Sequence, residues 1–321
     1  AIGESFIASF LPGLGPKRDL GWISGLGWSL GYIGGLVATA FALTFLGEVS
    51  QENYDRVRWV GPFAAGFFLL AALPTFLLLK ERGRRRPKPT GQSYSRMAWG
   101  QLSNTFRQLG HFSDLGRLML SIFFSMAGIY IVVSFAFIYG AQVIGWDESV
   151  RVLMFVTVQI TAAAGALGFG FLQSRIGARR TYLMTLWLWI VAVLAIWQTP
   201  ALASLARDWL GVDWEAQHVF LFAGLLSGLS LGSAQSAGRA LVGLLTPNGK
   251  SAEFFGFWNA VSKLAAIFGI LGLGLLQSVF GLQTAILFCL LLYAMAIVFG
   301  LQVNEARGME AAERRRPVIE R

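Results

Sequence analysis

Cysteine, histidine and acidic side chains are all scarce in this chain, and each scarcity removes a class of function. There is one cysteine, Cys289, and there are two histidines, His111 and His218, in 321 residues. An intrachain disulfide is therefore impossible, and no Cys/His spacing holds a metal ion. Cys289 stands inside an apolar run, where a lone thiol is a small packing residue. No G-x-x-x-x-G-K-[ST] loop occurs, and the two G-x-S-x-G strings, Gly27 to Gly31 and Gly228 to Gly232, fall inside long apolar runs and not on a strand-to-helix turn, so ATP-driven pumping and hydrolysis both lack a carrier. No cofactor and no metal is called for by any motif, and no paired catalytic groups fall at one depth, which ranks an enzyme last among the readings. Charge of either sign is thin as well: Asp, Glu, Lys and Arg make up 13% of the chain, where soluble domains carry about 25%. Hydrophobic residues reach 55% and the mean hydropathy is +0.60. That balance describes an all-α integral membrane protein embedded in a lipid bilayer.

Crossing hydrocarbon takes about 20 apolar residues per helix. Eight runs approach or exceed that length, at 23–46, 59–79, 118–140, 152–172, 181–197, 219–244, 254–280 and 284–301. Residues 1–11 are too few to cross and read as the second half of a helix, ended by Pro12 and followed by the polar turn GPKRD. The chain starts without methionine or signal peptide, and the simplest reading is a fragment whose earlier spans are missing.

Loop charge sets orientation. Residues 80–117 hold nine Lys/Arg against Glu81 and Asp114, most of the chain's net +9, so this segment is expected in the cytoplasm. Alternation then places Lys17, Arg18, Arg175, Arg179, Arg180, Lys250 and a C-terminal tail with Arg314, Arg315 and Arg316 on the same side, and Glu48, Glu52, Asp55, Asp147, Glu148, Asp208, Asp213 and Glu215 on the other. Every loop agrees. The pI near 10.1 thus reports topology and not nucleic-acid binding, since the basic run has no interleaved aromatics. Its first part, ERGRRRPKPTGQS, reads as a linker, and residues 97–115 space Leu102, Phe106, Leu109 and Phe112 as a short interfacial helix. The chain divides accordingly: 1–79 as the end of an N-terminal helical half, 80–117 as basic linker, 118–302 as a six-helix half and 303–321 as tail. Six spans after a long loop is the layout of half of a two-half transporter.

Polar residues inside the spans are the candidates for function, because a charge in hydrocarbon faces protein or water. Helical spacing puts Gly228, Gly232, Gln235 and Arg239 on one face of the run 219–244, and Asn259 and Lys263 on one face of the next. Lys263 sits about eleven residues into its run, near mid-membrane at about 1.5 Å per residue. Arg239 lies closer to the end, where it lines the cavity or reaches headgroups and loop carboxylates. Gln235 and Asn259 serve as substrate hydrogen-bonding groups or as interhelical ties. Gln159, Tyr130 and Tyr139 are weaker candidates. Glu4 is the lone acid inside a span, placed to pair with a cation or to carry a coupling proton. Gly224, Gly228, Gly232 and Ser236 form a small-xxx-small stripe, and the run 23–46 is glycine-rich with Gly27, Gly31 and Gly35 as expected packing positions.

The loop GFLQSRIGARR resembles the signature of the major facilitator superfamily: Gly170, Arg175, Gly177, Arg179 and Arg180 match it, with Ser174 where an acid is usual. In that family the signature links neighbouring helices and stabilises the outward-facing state. The segments ASFLPGLG with GWISGLGWSLGYIGG, AFIYGAQVIG, and AQSAGRALVGLLTPNGKSAEFFGFWNAVSKLAAIFG resemble the vacuole-effluxer, autophagy-related branch of the same superfamily. The resemblance implies the major facilitator fold, with eight of twelve transmembrane helices and the end of a ninth in this chain. The reading is a secondary transporter, expected as a monomer in a bacterial cytoplasmic membrane; the cationic lining from Lys263 and Arg239, and not the resemblance, favours a small solute with a carboxylate or phosphate, such as an amino acid or other organic anion. A non-transporting receptor or scaffold on a transporter fold is the alternative, and flux discriminates the two.

Overall fold

In the computed structural model the described residues are 2–46, 53–79, 93, 97, 100, 103, 112–211, 214–247 and 249–314, and among them the chain is helical without a strand. The helices are α1 (Ile2–Phe10), α2 (Leu20–Phe41), α3 (Val60–Leu78), α4 (Ser113–Tyr139), α5 (Glu148–Ile176), α6 (Ala178–Leu210), α7 (Ala216–Leu245), α8 (Ser251–Phe280), α9 (Phe288–Leu301) and α10 (Glu305–Arg314). With their end turns, α2 to α9 give eight helices long and apolar enough to cross a membrane, one for each expected run. The interfacial helix expected at 97–115 lies almost wholly outside the described residues, as do Glu48, Glu52, His111, Asp213, Arg315 and Arg316; Leu115 belongs to α4.

Two local features of the sequence shape the bundle. Gly177 alone separates α5 from α6, with φ +93, a left-handed conformation that glycine adopts without a Cβ penalty. The second concerns α6, which runs 13 residues past the apolar stretch that ends at Trp197. Pro200 does not stop it, although a proline inside a helix frees the carbonyl four residues back. That carbonyl belongs to Ile196, and the buried Tyr139 hydroxyl donates to it at 3.1 Å.

Helix α7 is the centre of the packing, pressed on α5, α6 and α2, while α4 packs on α8 and α9 and α1 rests on α8. Glycine decides how closely α7 approaches α5. A methyl at Gly232 would overlap the Ala162 carbonyl, one at Gly228 would meet Val158 O at 2.6 Å, and Gly165 on α5 abuts Leu229 in return. Relieving such contacts forces backbone to move, at about 1–3 kcal/mol. Gly232→Ala is therefore expected to lower the melting temperature of the purified protein by about 2–8 °C, read by a thermal-shift assay; an unchanged midpoint would remove the close approach from the account.

On α2 the tight positions are Gly21 and Gly25, set against Gln173, Ala166 and Gly170 of α5. The expected packing role of Gly27 and Gly31 is corrected here. Both are exposed; a methyl at Gly31 would meet nothing within 4 Å among the described residues, and Gly27 leaves room for the Arg239 guanidinium and not for a helix. Gly35 faces the Gln159 amide. Helix α3 touches the rest chiefly through aromatic stacking, Phe41 on Phe63 with centroids 3.6 Å apart.

Side-chain contacts gather Lys17, Arg179, Glu305, Arg307 and Asp114 at one end of the bundle, the basic face. At the opposite, acidic face Gln217 ties the α4–α5 turn to the start of α7, accepting from Asp147 N at 2.9 Å and donating to Asp147 Oδ2 at 3.0 Å and to Glu215 at 2.5 Å.

Candidate functional site

Arg239 lies six residues before the end of α7, about 9 Å inside the basic face at about 1.5 Å per residue. Its guanidinium turns toward α2. Its Nε donates to Ser24 Oγ at 3.0 Å and its Nη2 to the Ser24 carbonyl at 2.7 Å, while Ser24 Oγ donates to the Ser236 carbonyl at 2.9 Å. The guanidinium carbon sits 5.4 Å from the Trp28 ring, a cation–π arrangement that suits a planar, weakly hydrated cation. One turn deeper, the Tyr32 hydroxyl donates to Gln235 Oε1 at 2.7 Å. These contacts all join α2 to α7, so Gln235 and Arg239 act in this state as ties between the helices before and after the basic linker.

Lys263 and Asn259 sit one turn apart on α8. Lys263 Nζ donates to Tyr130 Oη of α4 at 3.0 Å and lies 5.2 Å from that ring. Asn259 Nδ2 donates to Ser5 Oγ of α1 at 2.5 Å. Glu4, exposed beside Ser5, acts electrostatically on both Arg239 and Lys263. The residues singled out from the spans thus form two groups of contacts between helices, Gln235 and Arg239 of α7 with α2, and Asn259 and Lys263 of α8 with α1 and α4. Toward the acidic face a cavity of about 180 Å³ is lined by Val132, Trp146, Gln159, Trp189, Phe220 and Ser227 among others. Leu231 lines it too and packs against the small cluster of Tyr32, Ala162 and Ala163. Tyr139 belongs instead to the α6 proline contact. Cys289 is fully buried against α4, in the packing role its sequence context implies.

The signature loop is stitched to the tail. Arg179 Nη2 donates to Leu301 O at 2.6 Å and its Nε to Gly300 O at 3.3 Å, the last carbonyls of α9. Arg175 stacks on Phe171 with its guanidinium carbon 4.9 Å from the ring, and Arg180 is exposed. Ser174 only turns back on the Phe171 carbonyl. The acid comes from elsewhere: Glu305 accepts from the backbone N–H of Arg179 at 2.9 Å and of Ala178 at 3.4 Å, a carboxylate at the N-terminus of α6 where the helix dipole favours it. Nearby, Asp114 takes a bidentate pair of bonds from Arg307, each 2.6 Å, and one from the Asn304 N–H at 2.8 Å. That carboxylate holds the Arg307 guanidinium above its ordinary pKa by hydrogen bonding and charge.

Sequence spacing found Arg239, Gln235, Asn259 and Lys263 but not their partners Ser24, Trp28 or Ser5, nor the Glu305 that caps α6 beside the signature loop. Serine and tryptophan in an apolar run carry no signal by themselves, and Glu305 acts 131 residues from Ser174, beyond any local pattern.

With this geometry in hand, the comparisons are specific. The chain is similar to the MFS-type transporter YxiO of Bacillus subtilis, 25% identical over 98% of this chain and 71% of YxiO. It is also similar to autophagy-related protein 22 of Kluyveromyces lactis, 22% identical over 89% of this chain and 59% of the relative, and of Yarrowia lipolytica, 23% identical over 91% and 51%. The chain therefore spans between half and three-quarters of the length of these relatives. The matching family is described as an effluxer and YxiO as a transporter, which makes this a family of transporters and not of enzymes. The family described as vacuole effluxer Atg22 like matches residues 19–313, which takes in the whole α2–α9 bundle and most of the tail helix, and the chain is a multi-pass membrane protein belonging to that family.

Proposed function

We propose that this chain forms the working core of a secondary transporter that moves a carboxylate-bearing small solute, an amino acid or other organic anion, by alternating access of two helical halves. The observation that carries the reading is the set of polar side chains inside the bundle, the cations Lys263 and Arg239 with the neutral groups Asn259 and Gln235 one turn away on the same helices. Two cations and the acid Glu4 leave a net positive site in a low-dielectric setting, which favours an anionic group on the solute. A coupling proton drives the cycle, with Glu4, the one acid within a span, as the residue placed to carry it. The apolar cavity toward the acidic face takes the uncharged part of the solute.

The whole protein carries the twelve helices of the major facilitator fold and works as a monomer, in a bacterial cytoplasmic membrane with its basic face and C-terminus in the cytoplasm. The basic linker 80–117 and tail then lie on the side that the positive-inside bias requires.

Ligand binding stabilises the folded state by mass action. In a thermal-shift screen of the detergent-solubilised protein, carboxylate-bearing solutes are expected to raise the midpoint, and matched amides and amines are not. Equal response to all three classes, or to none, would contradict an anion-selective site.

A further inference from the structure

The charges of α10 are spent on three different neighbours. At its start Glu305 caps the N-terminus of α6. In the middle Arg307 grips Asp114 on α4, and Gly308 lets the helix lie on Leu245 of α7, where a methyl would come within 2.6 Å. At its far end Glu313 crosses to Lys17, just before α2, at 2.7 Å. One short helix therefore ties the entry to α2 onto helices that follow the basic linker. Parting α2 from α5 and α7 at the basic face requires the Lys17–Glu313 pair to break.

Beneath this tie sits a group opposed to closure. Gln173 on α5 is 4% exposed, and its Oε1 and Nε2 are both without a hydrogen-bond partner among the described residues. Its side chain is wedged on Gly21 of α2, where a methyl would approach its Cδ within 2.7 Å. A buried amide left unsatisfied costs free energy that solvation restores. Separation of α2 from α5 opens this amide to water, so Gln173 favours the open arrangement of the basic face.

We propose that α10 is a gate strap, closed in this structure, which holds the basic face shut through Lys17–Glu313 while Gln173 provides the opposing bias toward opening. The strap adds a control element to the transporter reading on which it rests. It sets how often the face opens without touching the solute.

The test reads opening directly, with no solute present. Ser236→Cys supplies a reporter thiol on α7, since Ser236 is fully buried under Ser24 and its hydroxyl has no partner among the described residues; Cys289→Ala removes the native thiol. Labelling by a membrane-impermeant maleimide is followed in vesicles with the basic face outward. E313Q is expected to raise the labelling rate about threefold, in line with the modest worth of an exposed ion pair, and the exchanged pair K17E/E313K to bring it back. Q173M, which fills the same volume without polar atoms, is expected to lower the rate about fivefold. An unaltered rate in E313Q, no return in the exchanged pair, or faster labelling in Q173M would overturn the proposal. Because the readout uses no solute, its failure leaves the solute-binding result standing, and the reverse holds as well.

Discussion

Lys263→Met is expected to reduce solute exchange at least about 100-fold while membrane abundance and melting temperature stay near those of the parent. Two observations separate function from folding at this position. Among the described residues the lysine is exposed and its hydrogen bond goes to a tyrosine hydroxyl, so methionine keeps the aliphatic packing and forfeits little stability. Transport stands differently. A hydrogen bond to a charged group is worth about 1.5–3 kcal/mol, and the loss of such a bond to the solute carboxylate, together with the unbalanced Glu4 charge left behind, accounts for a factor of this size. Lys263→Arg keeps the charge and is expected to retain a measurable fraction. Counterflow of labelled solutes in proteoliposomes checks both variants; undiminished exchange by Lys263→Met would remove this residue from the site.

Arg239→Met should act in the opposite sense, on the fold and gate before the solute. The substitution removes two donated bonds to Ser24 and the stacking on Trp28. At about 2 kcal/mol for a charge-assisted contact of this kind, the midpoint is expected to fall by roughly 4–8 °C. Arg239→Lys is expected to recover little of it, because an ammonium cannot reproduce the two-pronged contact to hydroxyl and carbonyl or lie flat on the indole. Thermal unfolding of both variants gives the comparison. If lysine restores the parental midpoint, charge alone matters and the fork geometry assigned to Arg239 is wrong.

The difference between these two cations also marks how far the sequence could be read. Hydropathy located all eight long helices, since about 20 apolar residues in succession have few other uses, and intramembrane charges pointed to Lys263, Arg239 and Glu4 because hydrocarbon tolerates charge only for a reason. Orientation of the helices about their own axes was harder to read. In a bilayer the lipid-facing and core-facing sides are both apolar, so periodicity that would expose the buried stripe of a soluble helix is weak. Gly27 and Gly31 were placed on a packing face for that reason, when the close approach runs through Gly21 and Gly25. The extent of α6 past Pro200 depended on a hydroxyl from Tyr139, a contact across 57 residues. Glu305 stood in plain view as the first residue of a charged tail helix, but its capping of α6 follows from three dimensions alone.

The most direct test of the central claim is exchange itself. The protein, reconstituted in proteoliposomes preloaded with unlabelled amino acids or organic acids, is given labelled solute with and without a pH gradient. The account predicts accumulation of a carboxylate-bearing solute, enhanced by the gradient and lost in Lys263→Met. A folded protein that exchanges no solute, or one that moves cations in preference to anions, would contradict it.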